Sequence, residues 1–309
     1  MKIALCPLVS RDIEKAIRAT NSCRNQFKPA SLEIETIAIV NSQKQEFIDQ
    51  FCKWCDEEQV KYKITESNGT PSKGKNSVLE YLSQSEFDGV SMTDGDDLFY
   101  PTGMLQIERH LNHHPGTDVL IVKPSDQVTN FADSGLQINE NQYAVCWGMN
   151  LVNLGYLYGC GKHDMFTKGH VAARNLGGHV FYSKKMTHLA RYDEEQLLGE
   201  DLLLEFNLLK LHQEGKLCFW LSFASDVQML DRTQQESIQY TKNGTDGKFY
   251  YDRLMNKVQQ LLPEDRSSFN ELPVEFPELL FSYNQKIEWL KKEKLQLKDE
   301  LYLILRSKA

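Results

Sequence analysis

The chain has 309 residues, 41% of them hydrophobic and 25% charged, enough for one large α/β domain or two small ones. Its formal net charge of −8 argues against a nucleic-acid-binding surface, which needs a basic excess, and no apolar run reaches the length of a membrane span. Seven cysteines, an odd number in a chain of this size, do not read as a disulfide framework, so a reducing cytoplasm is the expected setting.

Residues 2–9 form a compact apolar run, too short for a signal peptide and read as a first strand. A helical stretch follows from Ser10, with Ile13, Ala16 and Ile17 on one face. Residues 34–40 are a second apolar run, ending at Asn41-Ser42. In the next segment Phe47, Ile48, Phe51 and Cys55 fall at helical spacing. Cys52-x-x-Cys55 lies inside that helix, and no second Cys or Cys/His pair follows at a zinc-finger interval, so core packing accounts for it better than metal. Residues 60–65 alternate like a strand, residues 77–82 return to helical spacing, and residues 89–92 form a short buried strand. A helix over residues 103–113 and a strand over 119–122 come next. Residues 127–178 carry scattered Gly, Asn and aromatic residues with little periodicity and read as irregular strands and loops shaping a pocket. A short strand at 180–182, a strong helix at 201–212 and a buried strand at 217–223 complete the pattern. Such alternation implies a mostly parallel, Rossmann-like sheet with helices on both faces, whose ligands gather at the carboxyl ends of the strands.

The last segment differs in character. Ile287, Leu290, Leu297, Leu301 and Ile304 fall at a and d positions of a heptad, with Lys294 interrupting one a site. This predicts a continuous amphipathic helix over 287–304 whose seam packs on the protein's own body or on a second copy in a homo-oligomer. The expected division is a catalytic domain over residues 1–225 and a C-terminal extension over 226–309.

Three clusters carry chemistry. Asp94-Gly95-Asp96-Asp97 places three carboxylates directly after a buried strand, an arrangement that suits Mg²⁺ or Mn²⁺ on oxygen ligands, although Asp and Gly also favour plain turns. The stretch from Asn68 to Asn76 holds Gly69, Lys73, Gly74 and Lys75 ahead of a helix and reads as a phosphate loop, without the spacing of a Walker A motif. Glu200 and Asp201 open the strong helix after Tyr192-Asp193-Glu194, either as dipole-favoured capping or as a general base.

The order of these pieces resembles a GT-A glycosyltransferase of the family-2, inverting nucleotide-sugar type, over residues 1–215. The resemblance rests on Asn68-Gly69, Gly74-Lys75-Asn76, the Asp94-x-Asp96-Asp97 strand end and Tyr192-Asp193-Glu194 leading to Gly199-Glu200-Asp201. It implies a nucleotide-diphosphate sugar, with UDP favoured, lying against Pro7, Val9, Asn41, Asn68, Lys73, Lys75, Asn76, Asp94 and Gly95. It further implies a divalent metal on Asp94 and Asp96, with Asp97 adjacent and Asp226 as a downstream ligand. Asp201 would be the catalytic base beside Glu200, acting on a carbohydrate or other hydroxyl acceptor. Pro7-Leu8-Val9-Ser10-Arg11 and Asn41-Ser42 depart from the family's usual nucleotide contacts, and the Gln-x-x-Arg-Trp signature of processive synthases is absent. A soluble, single-transfer enzyme is expected. The rivals are a sugar-nucleotide nucleotidyltransferase, whose Gly-rich basic signature is missing at 8–11, and a noncatalytic carbohydrate-binding or scaffold protein on the same fold. His188 and His113-His114 read as ordinary surface or hydrogen-bonded histidines, Trp220 as core, and Trp147 as either core or a sugar platform.

Overall fold

The first strand, β1 (Lys2–Val9), is buried on both faces: Ala4, Cys6 and Leu8 point into one apolar cluster, Ile3 and Leu5 into another. A strand of that kind belongs at the centre of a parallel sheet covered by two helical layers. The computed structural model describes residues 1–122, 126–127, 178–197, 199–222, 224, 226–230, 253, 256–257, 260–261, 274–275 and 277–292.

In chain order the described elements after β1 are α1 (Ile13–Arg24), β2 (Glu33–Val40), α2 (Gln45–Glu57), β3 (Lys61–Ile64) and α3 (Pro71–Gln84). Then come β4 (Gly89–Asp94), β5 (Asp97–Phe99), α4 (Gly103–His113), β6 (Val119–Val122), β7 (Asp126–Gln127) and β8 (Gly178–Ser183). The series closes with α5 (Glu200–Gln213), β9 (Phe219–Ser222), β10 (Gln228–Leu230), β11 (Val274–Glu275) and α6 (Tyr283–Lys292). Eight strands form one sheet in the order β11-β9-β6-β8-β4-β1-β2-β3, parallel throughout except for β8, which runs antiparallel between β4 and β6. The remaining three form a small second sheet, β5-β10-β7.

The alternation seen in β1 continues along its neighbours. Ile37, Ile39, Val90 and Met92 face α3 and α5, where Val78, Leu79, Leu204 and Leu208 complete that layer. Ile3, Leu5, Leu120 and Phe181 face α4 through Met104 and Ile107, while Val9, Ala38 and Val40 on the same side take Phe47, Phe51 and Cys55 of α2. Each such side chain removed from water contributes about 1.5–3 kcal/mol. Cys52 and Cys55 are free thiols packed on that helix, and burial pushes the Cys55 thiol up to about 12, as a core residue should behave. Trp220, expected in the core, is only half-buried and stacks on His114 with 3.7 Å between ring centroids. Trp147 lies outside the described residues.

Residues after 226 are woven into both sheets, since β10 pairs with β5 and β11 pairs with β9. The helix α6 occupies the start of the expected heptad segment; Leu297, Leu301 and Ile304 lie outside the described residues. Ser282 and Gln285 build a capping box at its start, the Ser282 backbone N–H and hydroxyl each donating to the Gln285 side-chain oxygen at 2.8 Å. Its first turns pack on the body: Phe281, Lys286 and Trp289 surround the Tyr100 ring, with Lys286 Nζ 5.0 Å from the ring centroid. No helix among the described residues is long and apolar enough to cross a membrane.

Burial lowers the pKa of the Lys286 ammonium from 10.5 to about 8, with Asp226 acting in the opposite direction. A lysine depressed in the folded state binds fewer protons there than in the unfolded chain, so stability rises with pH between about 8 and 10.5. Lys286→Met, free of this charge burial, should be at least as stable as the wild type at pH 7. The wild type should then gain on it in melting temperature between pH 8 and pH 10.5. Thermal melts across that range would contradict the assignment if the wild type lost ground instead.

Candidate active site

Parallel pairing of β4 with β1 sets Asp94 opposite Leu8, at the carboxyl end of the central strands. The next residue has to be glycine for steric reasons. A Cβ on Gly95 would lie 2.6 Å from the Leu8 carbonyl oxygen and 3.0 Å from Val9 Cα, so any side chain would push the turn off β1. That close approach brings Asp94 and Asp96 beside Asp97, which is buried at the start of β5. One carboxylate oxygen from each of the three lies within 4.8 Å of the others. An all-oxygen donor set of this kind fits Mg²⁺ or Mn²⁺. Arg11 Nη2 stands 3.8 Å from Asp96, and the buried Gln228 amide donates to Thr93 Oγ1 at 2.7 Å, pinning β10 beneath the turn.

Asp226 does not join this cluster. Its carboxylate accepts from Gln106 Nε2 at 3.1 and 3.2 Å and from the backbone N–H groups of Leu280 and Phe281 at 2.6 and 2.9 Å. These bonds make it an anchor for the chain entering α6. The structure gives no support to its expected place in a metal shell.

The loop expected over residues 68–76 is shorter than its glycines suggest. Asn68 Oδ1 accepts from the Thr70 N–H and hydroxyl, Thr70 caps the helix by accepting from the Lys73 N–H at 3.3 Å, and Pro71 opens the first turn of α3. Lys73, Lys75 and Asn76 therefore sit on the first two turns of a helix. They do not lie in a flexible phosphate loop. Lys75 is buried, with 7% of its side chain exposed, and its Nζ lies 2.5 Å from Asp201 Oδ1 and 3.1 Å from Glu200 Oε1. Burial acts to lower its pKa, but the charges of Asp201, Glu200 and Asp94 outweigh that and hold it well above the ordinary lysine value. Asn76 clamps the opposite segment from both sides, donating to the Tyr192 carbonyl at 2.9 Å and accepting from the Tyr192 N–H at 2.9 Å. Ser72 donates to the Gln196 carbonyl and Lys73 pairs with Glu194, so one helix end secures residues 192–201 along their length.

Gly199 adopts φ 73°, the left-handed conformation that only glycine takes cheaply, and so turns the chain into α5 with Glu200 and Asp201 leading. The two carboxylates have different surroundings. Glu200 retains 10% side-chain exposure, and burial raises its pKa despite Lys75. Asp201 keeps 45% of its side chain in solvent while its Oδ1 is held by Lys75. Tyr192 lies beneath them, its ring 5.3 Å from Lys75 Nζ and its hydroxyl 2.8 Å from that of Tyr182. Burial and the carboxylates Asp201, Asp94 and Glu200 push its phenol well up.

No family model matches the sequence, and no curated protein matches it. Solved structures do. S. aureus TarS 1–349 in complex with UDP-GlcNAc matches with a TM-score of 0.54 at 14% identity, covering 87% of this chain and 70% of that one. The same protein in complex with UDP gives 0.51 at 16% identity, covering 87% and 69%. A further TarS structure gives 0.52 at 13% identity over 99% of this chain, which spans 55% of its length. The fold is that of a GT-A-like glycosyltransferase.

Within that GT-A architecture the expected residues fall into two groups. Asp94, Gly95, Asp96, Asp97, Lys75, Glu200 and Asp201 converge on one region at the carboxyl ends of the strands. Pro7 and Val9 contribute the end of β1, with Val9 fully buried. Asn41 is a strut: its amide donates to Thr65 Oγ1 at 2.9 Å and to the Glu66 carbonyl at 2.8 Å, tying β2 to the segment that leads to α3. His188 is exposed at the end of a 3₁₀ turn. Arg11, Gln228 and the phenol of Tyr192 were not anticipated as site residues. Arg11 and Tyr192 lie beside motifs that were recognised, whereas Gln228 reaches the site only through the pairing of β10, which no local pattern announces.

Removing the buried cation should leave Glu200 uncompensated. Lys75→Met is expected to destabilise the protein by about 3–5 kcal/mol in urea denaturation. Adding Glu200→Gln should recover part of that loss, because the two sites are coupled. Additive losses in the double variant would show that the pair does not interact.

Proposed function

We propose that the protein is a glycosyltransferase that moves a sugar from a nucleotide-diphosphate donor to an acceptor hydroxyl in one inverting displacement. The observation that carries this reading is the convergence of two acidic motifs, 94–97 and 200–201, on one buried ammonium, that of Lys75. A structural ion pair would need one carboxylate. Here three act on one lysine, and the most exposed of those paired to it is Asp201.

In the proposed reaction the acceptor oxygen attacks the anomeric carbon as the bond from that carbon to the diphosphate oxygen breaks. The acceptor's proton passes to Asp201, and the nucleoside diphosphate leaves with the electron pair. Lys75 holds Asp201 through Oδ1, and Glu200, more deeply buried, fixes the position of that ammonium. The proton transfer would contribute about 10²–10⁴ in rate. Asp94, Asp96 and Asp97 would hold Mn²⁺ or Mg²⁺, which when bound supplies positive charge against the leaving diphosphate. Likeness to TarS in complex with UDP-GlcNAc favours a UDP-sugar as donor.

Asp201→Asn should reduce turnover by about 10² or more with little change in donor affinity, read from steady-state kinetics and donor titration. NMR of the product should show the anomeric configuration inverted; a retained anomer, or a fully active Asp201→Asn enzyme, would refute the mechanism. Calorimetry should find UDP-GlcNAc or UDP binding weakened both by EDTA and by Asp96→Asn. Equal binding in all three samples would remove the metal from the scheme.

A further inference from the structure

A second group of ligating atoms lies away from the acidic cluster, where α4 meets the edge strand β11. His110 lies in the last turn of α4 and His114 is the residue that caps its C-terminal end; Glu275 of β11 faces both rings. His110 Nδ1 is 2.7 Å from Glu275 Oε1, and His114 Nε2 is 3.2 Å from Glu275 Oε2. One ligand atom from each of the three lies within 4.8 Å of the others.

Hydrogen-bond roles show what this arrangement requires. The Thr117 hydroxyl lies 2.8 Å from the His114 carbonyl, an acceptor only, so its proton is committed there. His110 Nε2, 3.1 Å from the same hydroxyl oxygen, must then be the N–H that donates to it. With Nε2 engaged by Thr117, the other ring nitrogen, Nδ1, is the atom that faces Glu275, 2.7 Å from its Oε1. A proton or a metal ion can occupy the position facing Glu275.

We propose that His110, His114 and Glu275 form a Zn²⁺ site that clips β11 to the body of the protein. Two nitrogens and a carboxylate oxygen are a common three-ligand set for zinc, whose fourth position is open to water. The surroundings fit. His110 is buried with its second nitrogen fixed by Thr117, the outer partner that ligating histidines usually have. The His114 ring is held in place by stacking on Trp220. A cavity of about 200 Å³ bordered by Gln106, Arg109 and His113 opens onto His110 and Glu275, providing an entry path and room for a water ligand. Arg109 directs its guanidinium to the Glu278 carbonyl at 3.1 Å. The clip also has something to hold, because among the described residues β11 joins the sheet through two, Val274 and Glu275.

The test uses untagged full-length protein stripped with EDTA, titrated with ZnCl₂ by calorimetry and with Co²⁺ as a visible-absorption probe. The wild type should bind one equivalent of Zn²⁺ with a rise in melting temperature, and Asp94→Asn/Asp96→Asn should retain that binding. His114→Gln and Glu275→Gln should each weaken it at least about 10–100-fold, and Thr117→Val by about 10–100-fold, the range for loss of an outer partner. His114 is 27% exposed, so His114→Gln should fold, and far-ultraviolet circular dichroism checks this. The proposal is overturned if Zn²⁺ binding is absent from the wild type, unaffected in both His114→Gln and Glu275→Gln, or abolished by Asp94→Asn/Asp96→Asn. In the first case a proton on His110 Nδ1 fills the gap and the group is an ion-paired cluster only.

Discussion

Lys75 places a full positive charge where little water reaches, and much of the surrounding architecture holds its counter-charges in place. An ammonium buried without partners would lose its proton or unfold the site. Glu200 and Asp201 reach it from the start of α5, 125 and 126 residues away in sequence, and Asp94 acts on it from the end of β4. Because several groups share one cation, disturbing any of them leaves the others imperfectly compensated. Such coupling keeps the carboxylates at fixed positions.

The sheet order explains why these groups can meet. β4 and β1 are adjacent parallel strands, and α3, which carries Lys75, packs on the same face as α5. Their functional ends therefore open on one side, at the carboxyl edge where ligands of open sheets gather. Glycines set the local detail. Gly95 lets the acidic turn press against the Leu8–Val9 backbone, and Gly199 provides the left-handed step into α5. Asn76 then fixes residues 192–196 at a constant distance from α3 by gripping both backbone groups of Tyr192.

Much of this was legible in the sequence because period and charge are local signals. β1, β2, β4, α2, α4 and α5 follow from apolar spacing, and the acidic motifs are conspicuous at strand and helix ends. The extent of α3 was misjudged because Gly69 and Gly74 suggest a loop, whereas the Thr70 cap and Pro71 start the helix ahead of Lys73. The partners of Lys75 were hidden for a related reason: a lysine in a Gly-rich stretch suggests phosphate, and only tertiary packing shows carboxylates on its ammonium. Asp226 gave no sign of being an anchor, since its partners are an amide on α4 and backbone N–H groups more than fifty residues downstream. The short strands β5, β7, β10 and β11 have two or three residues each, too few to establish a period.

The C-terminal extension bears on the site through contacts that the expected boundary at 226 would not suggest. β10 lies beside β5, with Leu230 paired to Asp97, so the acidic turn is supported from below by a strand beyond that boundary. Arg253 and Lys257 pair with Asp193 and Glu195 on the segment that leads into Glu200 and Asp201. Asp226 ties the entry of α6 to α4, and Tyr100, just past β5, receives Phe281, Lys286 and Trp289. Both acidic motifs are thus braced from the same extension, one through β10 and the other through basic side chains. Exposed ion pairs contribute little individually, but the strand pairing and the buried Asp226 network resist displacement more strongly. The extension is therefore part of the scaffold of this region: loosening it would shift residues 94–97 and 200–201 relative to each other, even though none of its described side chains pairs with Lys75.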